Sequence, residues 1–146
     1  MAKKNDKVVE IYIPSELGYE KIPMAAAVTV AHRMGFSPDR IEDLKTAVSE
    51  AVTNAIEHGN QSNVEIRVLV ELTIQDNSLI LDVVDQGKKP IPEHVIDKGE
   101  DFENRPGYPR GMGMFLIEHL VDEMVVSAKP GRNEMRMVIH LEPKLT

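Results

Sequence analysis

There is no cysteine in this chain and no tryptophan, and its aromatic residues amount to three Phe and three Tyr. Without thiols there are no disulfides, no thiolate nucleophile and no cysteine-ligated zinc or iron–sulfur centre, which removes thiol redox chemistry and fits a reducing compartment. Six scattered rings make a poor platform for stacking bases. Positive charge is in deficit as well. Against 24 Asp and Glu stand 17 Lys and Arg, a formal net charge of −7, which is the wrong sign for holding a nucleic-acid backbone. A single nucleotide is a different matter, because one or two cations, a metal ion and backbone amides hold a triphosphate within an acidic protein. Long apolar runs are missing too: the longest, Met24 to Ala31, has eight residues including a Thr, far short of the roughly 20 that span a bilayer. The opening Met-Ala-Lys-Lys-Asn-Asp-Lys offers no apolar signal core. These absences predict a soluble, cytoplasmic, single domain over residues 1–146, with no membrane and no direct nucleic-acid partner.

What is present reads as strands and helices in a definite order. Val8 to Pro14 is β-branched and aromatic and predicts an opening strand closed by proline. Pro23 permits a helix start near Ile22, Met24 to Met34 keeps apolar spacing, and Gly35 is placed to stop it. Ser37-Pro38-Asp39 supplies a capping hydroxyl followed by proline at the first helical position. Ile41, Leu44, Val48, Ala51, Val52 and Ala55 then recur every three or four residues, predicting a helix to about His58 with one stripe toward a core. Ile66 to Ile74 alternates, and a turn at Asp76-Asn77-Ser78 returns the chain through Leu79 to Val84 as an antiparallel hairpin.

From Asp85 to about Arg110, with three Gly and four Pro, no regular element is predicted; long loops inside compact domains are functional or disordered. Beyond Gly111-Met112-Gly113, the spacing of Phe115, Leu116, Leu120 and Val121 predicts a helix. Met124 to Ala128 and Met135 to Leu141 predict two strands around a Lys129-to-Asn133 turn. The order β-α-α-β-β-loop-α-β-β is that of an α+β two-layer sandwich, a mostly antiparallel sheet with helices on one face and polar residues on the other.

Three places carry candidate chemistry. Glu50, Asn54 and His58 are spaced as one row along the second helix, which is either an ordinary solvated face or a useful pair: an amide oxygen is a hard ligand for Mg²⁺, and a carboxylate one turn away accepts a proton or orients a nucleophile. Asp85-Gln86-Gly87 closes a strand; it is either a plain turn or an acceptor for an exocyclic amine beside a glycine that lets a flat ring approach the backbone. Arg110-Gly111-Met112-Gly113 precedes a helix and is either a flexible loop end or a phosphate site made of helix-terminal amides and a guanidinium. It is neither a Walker A loop nor a dinucleotide-binding Gly-x-Gly-x-x-Gly. The other histidines, His32, His94, His119 and His140, have no ligand spacing with one another, and Met112 and Met114 are core filler or pocket lining.

Taken in order, Glu50-x-x-x-Asn54-x-x-x-His58-Gly59, Asp85-x-Gly87 and Gly111-x-Gly113 resemble the N, G1 and G2 boxes of the GHKL ATPase superfamily. The runs T-A-V-S-E-A-V-T-N-A-I-E-H-G and G-M-G-M-F-L-I-E-H-L-V-D-E look like its small anti-sigma factor serine/threonine kinases, the RsbW-like group. The resemblance implies the Bergerat-type ATP-binding fold and a protein kinase that binds a sigma factor and phosphorylates an anti-anti-sigma partner on serine with Mg-ATP, as a homodimer. It implies Asn54 as the Mg²⁺ ligand, Glu50 as general base, Asp85 as acceptor of the adenine amino group and Gly87 as room for the ring, with His58 in the same box as Asn54. The segment from about Lys98 to Arg110 would be an ATP lid, with Arg110, Gly111, Met112 and Gly113 at the phosphates. Two departures stand out: the adenine box reads Asp-Gln-Gly-Lys-Lys-Pro without a second glycine, and the last strand carries Arg132-Asn133-Glu134-Met135 where many relatives have Gly-Thr. The alternative to a kinase is a nucleotide-binding interaction module that sequesters its partner, for which a retained Glu50 has no use.

Overall fold

In a computed structural model, residues 5–87 and 108–142 are described, with the backbone alone for 108–112. Strand β1 (Lys7–Pro14) leads to helices α1 (Lys21–Met34) and α2 (Pro38–Asn54), the latter prolonged by a π-helical turn, Ala55–Gly59. Strands β2 (Arg67–Ile74) and β3 (Ser78–Asp85), helix α3 (Tyr108–Leu120) and strands β4 (Glu123–Lys129) and β5 (Arg132–His140) follow. The strands form one sheet in the order β1-β2-β3-β5-β4, antiparallel at every pairing. The α+β sandwich and mostly antiparallel sheet predicted above are what the described residues form. None of the described helices is long and apolar enough to cross a membrane.

Local chemistry explains the boundaries. Gly35 ends α1 in the left-handed region, at φ 94°, where a side chain would be strained. Ser37 caps α2 by accepting the Arg40 amide at 3.3 Å, and Pro38 occupies the first turn. Alternate residues of the sheet, among them Ile13, Val70, Leu72, Leu81, Val83, Met137 and Ile139, meet Leu44, Val48, Val52 and Ile117 of the helices in one buried core, each side chain contributing on the order of 1.5–3 kcal/mol. Arg40 holds α3 to α2: its guanidinium donates to the Leu120 carbonyl at 3.1 Å and to Asp122 at 3.1 Å.

Two elements differ from their sequence-based expectation. The second helix does not run as an α-helix to His58. At Ala55 it widens, and the Asn60 amide reaches five residues back to the Ala55 carbonyl at 2.8 Å; such π turns concentrate at functional sites. The third helix starts at Tyr108, well before Gly113, so both glycines of the third box lie inside it. Its buried stripe includes Met114 and Ile117, with Val121 buried just past its end, whereas Leu116 is exposed. Met114 thus belongs to the core rather than to a pocket wall.

The sheet's uncovered face is less polar than predicted. A charged row, Glu10, Glu71, Asp82 and Arg136, crosses four strands in register, but Leu69, Val84 and Val138 flank it. Asp82 and Arg136 form a two-pronged ion pair at 2.8 and 3.2 Å.

Candidate functional site

At the end of α2 the sequence places an amide one turn after a carboxylate, and the fold buries the amide. Asn54 is 5 % exposed, while Glu50 is half-buried. The plain solvated-face reading of this row therefore fails at Asn54. Among the described residues the Asn54 Nδ2 has no hydrogen-bond partner, an arrangement that is rare and costs about 1–3 kcal/mol in a folded protein. Helix α3 crosses close by. A Cβ added at Gly113 would stand 2.8 Å from Asn54 Nδ2 and 3.2 Å from Glu50 Oε2, so a side chain here would push the ends of Asn54 and Glu50 aside.

Gly113 is the sixth residue of α3, past the four amides that a helix leaves unpaired at its start. What it provides in this structure is close approach. Gly111 falls within those first four residues, together with Arg110. The expected lid, from about Lys98, lies outside the described residues until its last three positions, Tyr108 to Arg110, which are helical.

The second cluster forms where β3 ends against the π turn. Asp85 is 1 % exposed. Its Oδ1 accepts from the Gly87 amide at 2.9 Å and from Asn133 Nδ2 at 3.0 Å, and Asn133 also donates to the Gly87 carbonyl at 3.3 Å. Gly59 packs directly on this carboxylate: a Cβ there would lie 2.6 Å from Oδ1 and overlap the rest of the group. A Cβ at Gly87 would overlap the Gly59 carbonyl and stand 2.9 Å from Asp85 Oδ1. Two glycines thus bring two backbones onto one carboxylate. Asn60, the next residue, accepts the Gln86 amide at 2.8 Å and donates to Ser15 Oγ at 3.0 Å, tying the turn to β1 and to the end of β3.

His58 goes with this second cluster rather than with Glu50 and Asn54. It lines a cleft of about 450 Å³ with Gly59, Asn60, Gln86 and Gly87. The π turn thus separates the predicted row into a pair on α2 and a histidine at the cleft, and joins the two clusters in sequence. Asn133, Asn60, Ser15 and Gly59 are the contributors that sequence reasoning did not single out as site residues. The glycine was legible only as the end of the N box, and the two asparagines read as turn chemistry, since their partners are remote in sequence.

Chemically, the Asp85 end presents a buried, ordered acceptor beside a cleft with backbone close at hand, which suits a flat ring bearing an amino group. The α2 end offers one amide and one carboxylate. Among the described residues no three His, Asp or Glu side chains gather as a metal site. A lone amide, whose oxygen takes the nitrogen's place on rotation, suits a hard cation that brings most of its oxygen ligands with it.

Comparison with known proteins covers most of the chain. The family model described as a histidine kinase-like ATPase domain matches residues 13–139. The chain is 36% identical to the serine-protein kinase RsbW of Listeria monocytogenes serovar 1/2a, covering 85% of this chain and 81% of that protein. It is 30% identical to the serine-protein kinase RsbW of Bacillus subtilis, covering 88% and 83%. In fold it is similar to the crystal structure of the RsbU and RsbW domains of a Mycobacterium tuberculosis protein, with a TM-score of 0.68 at 20% identity, over 94% of this chain and 33% of that one.

Proposed function

Because this chain belongs to the histidine kinase-like ATPase family and, within it, to the RsbW-like serine-protein kinases, we propose that it uses Mg-ATP to phosphorylate a serine of an anti-anti-sigma protein and that it also binds a sigma factor. The observation that carries this reading is the buried Asn54 amide nitrogen, which has no partner among the described residues, one turn from Glu50 and close under Gly113 of α3. A donor left unsatisfied at this cost is understandable where an acceptor on a ligand, such as a phosphate oxygen, completes the site.

Asp85 accepts the adenine amino group, and Gly87 and Gly59 keep side chains away from the ring. The Asn54 oxygen holds the Mg²⁺ that arrives with the phosphates, and Arg110 with the first amides of α3, Gly111 included, receives their charge. Mg-ATP supplies the transferable phosphoryl group and the neutralising cation. Glu50 orients the partner's serine hydroxyl and takes its proton as the oxygen attacks the γ-phosphorus, whose bond to the bridging oxygen breaks to release ADP. Transfer of this kind demands positioning and charge neutralisation more than covalent help from the protein, so a small residue set suffices. The protein works in the cytoplasm, as a homodimer.

The test is incubation of the purified chain with γ-labelled ATP, Mg²⁺ and its cognate anti-anti-sigma protein. Label on a serine of that partner is expected. ATP binding without any label would leave a nucleotide-dependent binding module in place of a kinase.

A further inference from the structure

The structure gives Asn133 a task that a hydroxyl cannot perform. Its side-chain nitrogen carries two protons and meets two acceptors, Asp85 Oδ1 at 3.0 Å and the Gly87 carbonyl at 3.3 Å. A hydroxyl has one proton to donate. The Gly87 amide returns to the same Oδ1 at 2.9 Å, so Asn133, Asp85 and Gly87 close a small ring of hydrogen bonds, with Asn133 and Asp85 0 % and 1 % exposed. Asn133 pairs with Asp85 across β3 and β5 in the sheet register, so backbone pairing already sets its distance. Two donors on one oxygen hold the carboxylate in one orientation and resist exchange of its two oxygens by rotation.

We infer that Asn133 is a positioning residue for nucleobase selection: it fixes the Asp85 carboxylate so that the site selects a purine with a 6-amino donor and rejects one with a 6-oxo acceptor. The inference rests on the nucleotide reading above and adds to it the residue that sets its selectivity. Asn133 acts through Asp85 and need not touch the base.

Binding of ATP and of inosine triphosphate, whose ring bears oxygen in place of the amino group, is measured by calorimetry for the parent chain, Asn133→Leu, Asn133→Thr, Asp85→Ala and the Asp85→Ala/Asn133→Leu double variant. The parent should prefer ATP. Asn133→Leu keeps the side-chain size but donates nothing, and should weaken ATP roughly 10- to 100-fold, the scale of a hydrogen bond to a charged group. Its inosine triphosphate affinity should stay within about threefold, and its turnover at saturating ATP should hold while KM rises. Asn133→Thr, with a single proton, should fall between parent and Asn133→Leu, and carries the test should the leucine variant fail to fold. The double variant should be no worse than Asp85→Ala alone. Unchanged ATP preference in the Asn133 variants, equal losses for both nucleotides, or additive losses in the double variant would each overturn the inference while leaving the kinase reading intact. A parent chain that binds neither nucleotide would instead overturn the reading on which the inference stands.

Discussion

The two ends of the candidate site are built on opposite principles. At the Asp85 end, several polar groups are brought together from remote parts of the chain and bonded to one another: Asp85 to Asn133 and Gly87, and Asn60 to Gln86 and Ser15. At the Asn54 end, a buried donor has no partner among the described residues, and Gly113 of α3 packs close against it. The first end is preorganised and loses little on binding a ligand, whereas the second gains a partner when a ligand arrives. In a phosphoryl-transfer protein that difference separates recognition from chemistry: the base is read by a fixed surface, and the reacting end is completed by what it binds.

The largest expected effect tests the reacting end. Glu50→Gln keeps size and hydrogen bonding but removes the basic oxygen, so phosphoryl transfer should fall by about 10²–10⁴-fold with ATP affinity nearly unchanged. A variant that transfers at the parent rate would remove Glu50 from the role of base. A matched pair of glycine variants then sets one end against the other. Gly59→Ala drives a methyl into the Asp85 carboxylate and has no flexible neighbour to displace, so it should cost about 1–3 kcal/mol of stability and abolish tight ATP binding. Gly113→Ala meets the far ends of Asn54 and Glu50, which are free to turn aside, and gains up to about 1 kcal/mol of helix propensity. Its stability should hold within about 1 kcal/mol while transfer drops more than binding. Denaturation and nucleotide titration on the two variants check both statements, and equal losses in both would erase the distinction between the ends.

Most of the frame was legible in the chain itself. The alternation of β2 and β3, the Ser37-Pro38 start of α2 and the Gly35 stop of α1 are local signals, and the structure bears out each. The α-helix that became a π turn was not legible, because the extra residue in the turn accommodates Asp85, and Gly59 meets that carboxylate only in the folded sheet. The start of α3 was misjudged because Pro109 and two glycines read as loop, whereas proline fits the first turn of a helix and Gly113 lies against the side chains of α2. Asn133 illustrates the same limit: a turn residue by composition becomes a partner of Asp85 through strand register, 48 positions away.

The smallest expected effect lies away from both ends, on the uncovered sheet face. Burial, and then the carboxylates of Asp82, Glu10 and Glu134, hold the Glu71 pKa above its ordinary value, with Arg136 opposing. The folded chain therefore binds that proton more tightly than the unfolded chain does. Stability falls as pH rises from the unfolded pKa through the folded one, and the penalty is complete above both. Glu71→Gln removes a like charge lying opposite both Glu10 and Asp82, so at neutral pH it should stabilise by about 0.2–1 kcal/mol. That advantage over the parent should vanish once pH drops below the ordinary carboxylate range, as denaturation at the two pH values would show. Because Glu71 faces away from the helices, ATP affinity and phosphoryl transfer should not move with it. A Glu71→Gln variant with altered nucleotide affinity would mean that the Asp85 end feels a charge on the neighbouring strand and the opposite face of the sheet, and that end could no longer be treated as fixed by its local hydrogen bonds.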